Sequence, residues 1–556
     1  MKILFSPFRI AAEYYIRTGR GRAITREEAF EIIKRAEENG LMHQMPNADG
    51  PGKTHAICNC CGCSCYATRI AGMFLNNDMV RSNYVSRVDK DKCVGCGECV
   101  QVCPVNALKL GQKLCAKTPI IEKKRVDFAH NTEWGPDKWN VDHRINKKNV
   151  VDTGTSPCKT QCPAHISVQG YVKLASQGRY KEALELIKNE NPFPAVCGRI
   201  CPRKCESACT RGDIDEPVAI DEIKKFIAEQ DLKMDTRYVP KLRHEYGNKI
   251  AVIGAGPSGL SCAFYLALDG YKVTVFEKQK VLGGMLTLGI PSYRLEKEVI
   301  NAEIDILREL GVEFKTGIEV GKDISLKYLR GQGYEAFYIA IGAQLGRNLG
   351  IHGEDSEGVI TGVDFLRNVN LGNEVNLEGD VVVIGGGNVA MDAARTALRL
   401  GSETHIVYRR SEAELPARVE EVHHAKEEGV ILDLLVNPTE ILGDENGWVK
   451  GMKCVRMELG EPDASGRRRP QVIEGSEFTL DCDTVIMSLG TSPNPLIPAT
   501  TKGLETNKYK CIVAEEETGL TSKEKVYAGG DAVTGAATVI LAMEAGKKAA
   551  KAIDEQ

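Results

Sequence analysis

Nowhere in the 556 residues do eighteen apolar positions run together, so no segment has the character of a bilayer-spanning helix. The opening residues, MKILFSPFRIAAEYYIRTGRG, also lack the sustained apolar core and small-residue cleavage site of a secretory leader. A soluble, cytoplasmic chain with no transmembrane segment is expected. Excess charge is missing as well. Seventy-two Lys and Arg against 76 Asp and Glu leave a formal charge of −4, which argues against nucleic acid as the principal partner. What abounds is cysteine. Sixteen of the 20 precede Gly212 in tight CxxC and CxxxC groups, a pattern that suits metal thiolate clusters better than disulfide bridges. Cys262, Cys454, Cys482 and Cys511 are scattered and read as small buried hydrophobes.

The chain is too long for one hydrophobic core, and two to four domains are expected. Its organising stretch is Lys249 to Glu277, KIAVIGAGPSGLSCAFYLALDGYKVTVFE. A strand at Ile250–Ile253 meets Gly254, Gly256 and Gly259, then a helical pattern beginning at Pro257 and Ser258, then a strand ending at Glu277 and Lys278. This is the order of a dinucleotide-binding βαβ unit. Gly254 permits the tight turn, Gly256 lets the backbone approach a pyrophosphate, and Gly259 lets the helix pack on its strand. Glu277 is placed to bind a ribose hydroxyl. Residues 380–410 repeat the pattern: strand Val381–Ile384, then Gly385, Gly387, Asn388, Val389 and Ala390, a helix to about Leu400, and strand Thr404–Tyr408. Here the acidic strand end is replaced by Arg409 and Arg410, whose guanidinium forks suit a 2'-phosphate and favour NADP over NAD. A matching strand, Thr484–Leu489, ends on Gly490. No closely spaced cysteine pair lies near the first fingerprint, which disfavours disulfide-reductase chemistry.

Upstream, Thr25–Asn39 reads as a capped helix without assigned chemistry. Cys93, Cys96, Cys99 and Cys103, followed by Pro104, have the ferredoxin spacing in which the first three thiolates hold one [4Fe-4S] cluster and the fourth a neighbouring one. Cys58, Cys60, Cys61, Cys63 and Cys65 offer candidates for the neighbour's other ligands, and either that run or Cys115 could complete the first. A second group comprises Cys158, Cys162, Cys197, Cys201, Cys205 and Cys209, with helices expected at Gln169–Ala175 and Tyr180–Glu190. Six thiols suffice for one complete cluster, with two left over.

The run CPAHISVQGYVKLASQGRYKEALELIKNENPFPAVCGRICPRKCESAC, followed by the fingerprint at Gly254, resembles the small subunit of bacterial NADPH-dependent glutamate synthase. It is also similar to modules of dihydropyrimidine dehydrogenase and of NADH-dependent ferredoxin:NADP oxidoreductase. The resemblance covers Ser156 to the C-terminus; the ferredoxin-like stretch is an addition to it. It implies FAD at the first fingerprint, with Gly284, Met285, Gly530, Asp531, Ala537 and Thr538 as further contacts, and NADP(H) at the second. The chain departs from the family before Cys158, where Val150 and Thr153 stand near the expected cysteines, at Cys197, and at Lys224, which occupies the place of a Glu or Gln ligand. The best single cluster then uses Cys162, Cys197, Cys201 and Cys205, leaving Cys158 and Cys209 for another.

The expected architecture is multidomain α/β: two nested Rossmann-like dinucleotide-binding domains of the three-layer ββα type, preceded by an α-helical [4Fe-4S] domain and a ferredoxin-like α+β domain. Its expected segments are an N-terminal extension (1–54), ferredoxin-like domain (55–115), connector (116–155), helical cluster domain (156–240), flavin domain (246–369 and 495–556) and NADP(H) domain (370–494). Two [4Fe-4S] clusters are expected in the N-terminal domain and one or two in the helical one. The expected role is an NADP(H)-handling subunit of a redox complex, passing electrons between NADPH, FAD and clusters to ferredoxin or partner subunits. A second flavoprotein partner and electron bifurcation fit this role. A free-standing NADPH:ferredoxin oxidoreductase, a glutamate synthase small subunit and a non-catalytic electron-transfer scaffold are the alternatives.

Overall fold

The computed structural model describes residues 13–38, 41–44, 57–60, 65, 70, 88, 93, 99 and 156–556, apart from 214, 378 and 463–467. Two compact units divide the chain, Met1–Ser156 and Pro157–Gln556. In the first, helix α1 (Arg26–Glu38) starts where its capping pattern predicts. Thr25 Oγ1 accepts from the Glu28 N–H at 3.1 Å, while a Glu28 carboxylate oxygen accepts from the Thr25 N–H at 3.0 Å, which satisfies two end donors reciprocally. Strands β1 (Met42–Gln44) and β2 (Cys58–Cys60) pair antiparallel, so half-buried Cys58 sits opposite Gln44. Cys65 is buried, Cys93 half-buried and Cys99 exposed. Cys61, Cys63, Cys96, Cys103 and Cys115, like the whole connector, lie outside the described residues.

The second unit opens with helices α2 (Pro157–Gln161), α3 (Val168–Ser176), α4 (Tyr180–Lys188), α5 (Pro194–Ile200), α6 (Lys204–Ser207) and α7 (Ile220–Leu232). Strands and helices then alternate: β3 (Lys249–Ile253), α8 (Pro257–Leu268), β4 (Lys272–Glu277), α9 (Met285–Leu288), α10 (Lys297–Glu309), β5 (Glu313–Thr316) and β6 (Tyr334–Ile339). After these come β7 (Val359–Thr361), α11 (Gly362–Asn370), β8 (Asp380–Ile384), α12 (Asn388–Arg399), β9 (Glu403–Tyr408), α13 (Val419–Glu428) and β10 (Ile431–Leu434). Four meander strands follow, β11 (Val436–Gly443), β12 (Val449–Pro462), β13 (Arg468–Val472) and β14 (Phe478–Asp481), then β15 (Thr484–Met487), β16 (Val526–Ala528) and α14 (Val539–Asp554).

Two parallel sheets result. The first has the order β16-β6-β3-β4-β5 and the second β10-β9-β8-β15-β7. In each, the glycine-rich turn leaves the strand that pairs directly with the one ending at Glu277 or just before Arg409 and Arg410, as the fingerprint requires. The chain crosses between sheets on two short antiparallel segments, where Ser492 pairs with Leu345 and Thr491 with Gly346. The second sheet takes its edge strand from Val359–Thr361, ahead of residue 370, where the sequence placed that domain's start. Pairing with Thr484–Met487 recruits that strand; its three residues carry too little periodicity to assign.

Burial explains the helices. Eleven of the twelve residues of α8 are buried, because it packs between the first sheet and α14. A Cβ on Gly546 of α14 would overlap the Ser258 carbonyl, so the two helices cross backbone to backbone. One face of the second sheet packs Val381, Val383 and Ile486 against α11, α12 and α13. Its other face packs Val382, Ile384 and Val485 against Val436, Ile441 and Met452 of the meander, which makes three layers.

Candidate functional site

The first fingerprint folds into a cradle. Gly254 has φ +105°, and a Cβ there would overlap the carbonyl oxygen of Ala340, so only glycine fits the turn out of β3. Gly256 caps α8, Pro257 is its first residue, and Gly259 faces the Gly254 carbonyl with no room for a side chain. Gly284, with φ +54°, brings the start of α9 and Met285 against Gly256, where a Cβ would lie 2.7 Å from the Gly256 Cα. Gly530 closes on Ser258 from the far end of the chain, a Cβ there lying 2.9 Å from the Ser258 Cβ. Three glycine segments separated by up to 276 positions thus form one groove floor, across which an extended dinucleotide can lie against backbone.

The polar groups around the groove are partly committed. Glu277 is buried at the end of β4 and accepts from the N–H of Ala255 and of Gln279, each at 2.8 Å. Burial raises its carboxyl pKa against those donors. Each oxygen keeps a second acceptor position, which a ribose hydroxyl can use. Ser258 Oγ lies 2.6 Å from Tyr338 Oη, so Ser258 has its backbone N–H left to offer a phosphate. Burial pushes Asp531 up to about 6, opposed by the Ala537 N–H that donates to it at 3.2 Å. Thr538 caps α14 with a buried hydroxyl lacking a partner among the described residues, an orphan that a flavin phosphate or ribityl group would satisfy. Lys278 is exposed at the strand end.

At the second fingerprint, Gly385 has φ +138°, and a Cβ would overlap the Ser488 carbonyl. Gly387 caps α12 and faces open space; Asn388 is exposed, Val389 half-buried and Ala390 packed in the core. Asn388 Oδ1 accepts from the Arg418 N–H at 3.0 Å, which ties the helix start to the segment after β9. Arg409 is exposed and Arg410 half-buried, and the buried Nε of Arg410 has no partner among the described residues. An uncommitted guanidinium N–H at the strand end suits a phosphate. Gly490 has φ +96° with nothing near its missing Cβ.

Between the fingerprints runs a buried ion network absent from the sequence expectations. Arg294 donates to both Asp392 oxygens on α12, at 2.8 and 2.7 Å, and lies 3.0 Å from Glu421 on α13. Arg395 reaches Glu421 at 2.8 Å and Glu428 at 2.7 Å, while Arg395 and Arg399 stack over Tyr293. Burial still pushes Asp392 up to about 6 despite the Arg294 fork.

Among the cysteines, the helical domain gathers Cys162 just after α2, Cys197 on α5, Cys201 at its C-cap and Cys205 on α6. Burial pushes Cys197 and Cys205 up to about 12 and raises Cys162, while the Lys224 charge pulls all three down. Burial likewise lowers Lys224, but Cys201, Asp221, Cys197 and Tyr171 together hold it well above the ordinary lysine range. Among the described residues, no three His, Cys, Asp or Glu side chains converge on a point that would hold one metal ion. A four-iron cluster takes each thiolate on a different iron, so its ligands need not converge on one point, and the three buried thiols of Cys162, Cys197 and Cys205 with the half-buried Cys201 fit it. Cys158 lies buried four residues before Cys162 and Cys209 beyond α6 beside Arg211.

The helical domain is seated on the flavin fold. Cys197 Sγ lies 3.6 Å from Met543 Sδ on α14. Lys188 and Glu303, both fully buried, face each other at 3.5 Å, and Glu303 also accepts from the Ala195 N–H at 3.0 Å. Sequence reasoning passed over Glu303. Its signal was a carboxylate inside the buried stripe of Val299, Ile300, Ile304 and Leu307 on α10.

Residues 248–548 match the family described as pyridine nucleotide-disulphide oxidoreductase. The chain belongs to that family. Residues 148–236 match dihydropyrimidine dehydrogenase domain II, a 4Fe-4S cluster domain, and residues 86–109 a 4Fe-4S binding domain. This oxidoreductase is 44% identical over 426 residues to the NADP(+)-dependent formate dehydrogenase subunit beta of Moorella thermoacetica, covering 72% of this chain and 60% of that one. It is 39% identical over 434 residues to the NADPH-Fe(3+) oxidoreductase subunit beta of Geobacter sulfurreducens, covering 73% of this chain and 64% of that one. Both relatives are therefore longer than the part matched. The Glutamate synthase [NADPH] small chain of Escherichia coli is 39% identical over 421 residues, covering 72% of this chain and 89% of that one. Among the described residues, no helix is long and apolar enough to cross a membrane.

Proposed function

We propose that the chain is the NADP(H)-handling subunit of a redox complex, exchanging hydride between NADPH and FAD and passing single electrons through [4Fe-4S] clusters to or from a partner. The carrying observation is the contact of Cys197 with Met543. The thiol group rests on α14, whose N-cap Thr538 borders the glycine groove, so one helix spans the candidate flavin and cluster sites. FAD would supply the conversion of a two-electron hydride into single electrons, and the clusters would carry them onward.

In this reading Gly254, Gly256, Pro257, Gly259, Gly284 and Gly530 admit the FAD backbone, and the N-terminus of α8 offers N–H groups to its pyrophosphate. Glu277 holds the adenosine ribose. Gly385, Gly387 and the start of α12 do the same for NADP(H), with Arg409 and Arg410 on the 2'-phosphate. Cys162, Cys197, Cys201 and Cys205 hold one cluster. Relatives named as beta subunits or small chains support a partner in a larger assembly. Ferredoxin and a second flavoprotein are the electron partners to test.

Anaerobic addition of NADPH to the purified chain tests the reading. Bleaching of bound flavin absorbance followed by cluster signals in electron paramagnetic resonance is expected. A chain that carries FAD but is not reduced by NADPH would sink the proposal and leave an electron-transfer scaffold.

A further inference from the structure

Asp221 and Lys224 lie one turn apart on α7, 1% and 4% exposed, with Nζ and Oδ1 2.5 Å apart. Neither Asp221 oxygen meets the geometry of a hydrogen bond, so the pair is held by charge at short range and not by a directed N–H. Arg203 Nε stands 3.6 Å from the other Asp221 oxygen, and Arg203 also meets Glu222 at 2.9 Å. An i,i+3 pair serving only to staple a helix belongs on the solvent face, where its charges stay hydrated. Burying a lysine beside one imperfectly bonded carboxylate is costly unless a further counter-charge is present. Helix α7 packs directly on α5, where a Cβ on Gly198, next to Cys197, would lie 2.7 Å from the Cα of Lys225, and Tyr171 Oη donates to the Ile220 carbonyl at 3.3 Å. That packing sets the Lys224 ammonium in the field of Cys162, Cys197, Cys201 and Cys205, the four thiols assigned above to a cluster.

We propose that Lys224 tunes that cluster, placing a buried positive charge beside its thiolates so that the reduced form is stabilised. This rests on the reading of the four thiols as one cluster's ligands. Reduction brings one electron from the flavin side and makes or breaks no bond, and no proton has to move. The added negative charge would be met by a buried ammonium, where charge is screened less than in water. Charge and hydrogen bonds around cluster sulfur are among the levers that set its potential. Asp221 holds the ammonium in place and offsets part of its field. Lys224 is thus a positioning residue, acting on the potential of a neighbouring group.

The test is a potentiometric titration of the full-length chain under anaerobic conditions, read by electron paramagnetic resonance, with iron and acid-labile sulfide counted in parallel. Loss of a signal in Cys201→Ser identifies the cluster concerned. In Lys224→Met, iron per chain is expected to stay constant while that cluster's midpoint falls. At the wild-type midpoint the reduced-to-oxidised ratio should drop at least tenfold, which is about 59 mV for a one-electron couple. Asp221→Asn should move the midpoint in the opposite direction. An unmoved midpoint in loaded Lys224→Met overturns the proposal. Should Lys224→Met lack the cluster, Asp221→Asn decides, and a midpoint that stays or falls overturns it. Loss of cluster iron from both variants also overturns it, by making the pair structural. A wild-type chain in which Cys201→Ser removes no signal refutes the assignment of the four thiols, and with it the proposed electron path.

Discussion

Arg410 carries a buried guanidinium N–H with no partner among the described residues, at the end of a strand whose equivalent in the other domain ends in Glu277. Charge-assisted hydrogen bonds of this kind contribute about 1.5–3 kcal/mol each. Replacing Arg409 and Arg410 by alanine should therefore raise the KM for NADPH by about tenfold or more and leave the KM for NADH little changed, as steady-state kinetics would show. Equal effects on both nucleotides would remove the 2'-phosphate assignment. Gly254→Ala must push a Cβ into the Ala340 carbonyl from a positive φ, a strain of about 1–3 kcal/mol, and should yield protein without bound FAD by absorbance. Asp531 supplies a pH signature. Its native carboxyl, pushed up to about 6, keeps a proton that the unfolded chain releases near pH 4. Stability of the FAD-free protein should therefore decline from about pH 4 to pH 6 and be level above, and Asp531→Asn should flatten that decline in denaturant titrations.

Elements meet at Arg294. The loop before α10 delivers this one side chain to α12 and α13, so helix α12, which begins at the second fingerprint, is fixed to the flavin fold by buried charge. Breaking such a pair by removing one partner leaves an uncompensated carboxylate and costs about 3–5 kcal/mol. Arg294→Met should lower the Tm and change the rate of flavin reduction by NADPH, because the relative placement of the two nucleotide sites depends on this contact. A variant with wild-type Tm and reduction rate would show that the ions merely fill space. Helix α10 carries a second joint, from Glu303 to Lys188 and to the Ala195 N–H.

For the whole molecule, that joint separates two functions. Glu303→Ala leaves the buried Lys188 without its carboxylate where the thiol-bearing helices meet the flavin fold. Stopped-flow measurements should show flavin bleaching by NADPH at close to the wild-type rate and cluster reduction slowed about tenfold or more, since a loss of order 3–5 kcal/mol at the seam loosens the seat of Cys197 on Met543. Slowing of both phases alike would place the defect in the nucleotide domains. Steady-state assays with NADPH, ferredoxin and NAD address the partner. Ferredoxin reduction that requires simultaneous NAD reduction would identify bifurcation, and independence would identify a simple NADPH:ferredoxin route.

Much of this was legible in sequence because its determinants are local. Gly254 and Gly385 are required by a turn that only positive φ completes, and Gly259 by backbone contact within five residues, so spacing alone exposed both nucleotide units. Thr25 and Glu28 announced the start of α1 in the same way. The antiparallel meander went unread, although Asn446-Gly447 marks the turn between β11 and β12, because its strands are half-buried and bulged and its inner residues find partners only on the second sheet. The groups that join domains, Arg294 with Asp392 and Glu303 with Lys188, were invisible for a related reason. A single charged residue in a helical stripe has no periodicity, and its partner stands 98 and 115 positions away. The sequence by itself determined two dinucleotide turns, an arginine-ended strand and a supply of cluster thiols, since each depends on neighbours in the chain. Tertiary structure alone decided that Cys162, Cys197, Cys201 and Cys205 share the field of Lys224 and that Cys197 rests on Met543 of α14, because burial and the meeting of opposite charges are set by packing between segments.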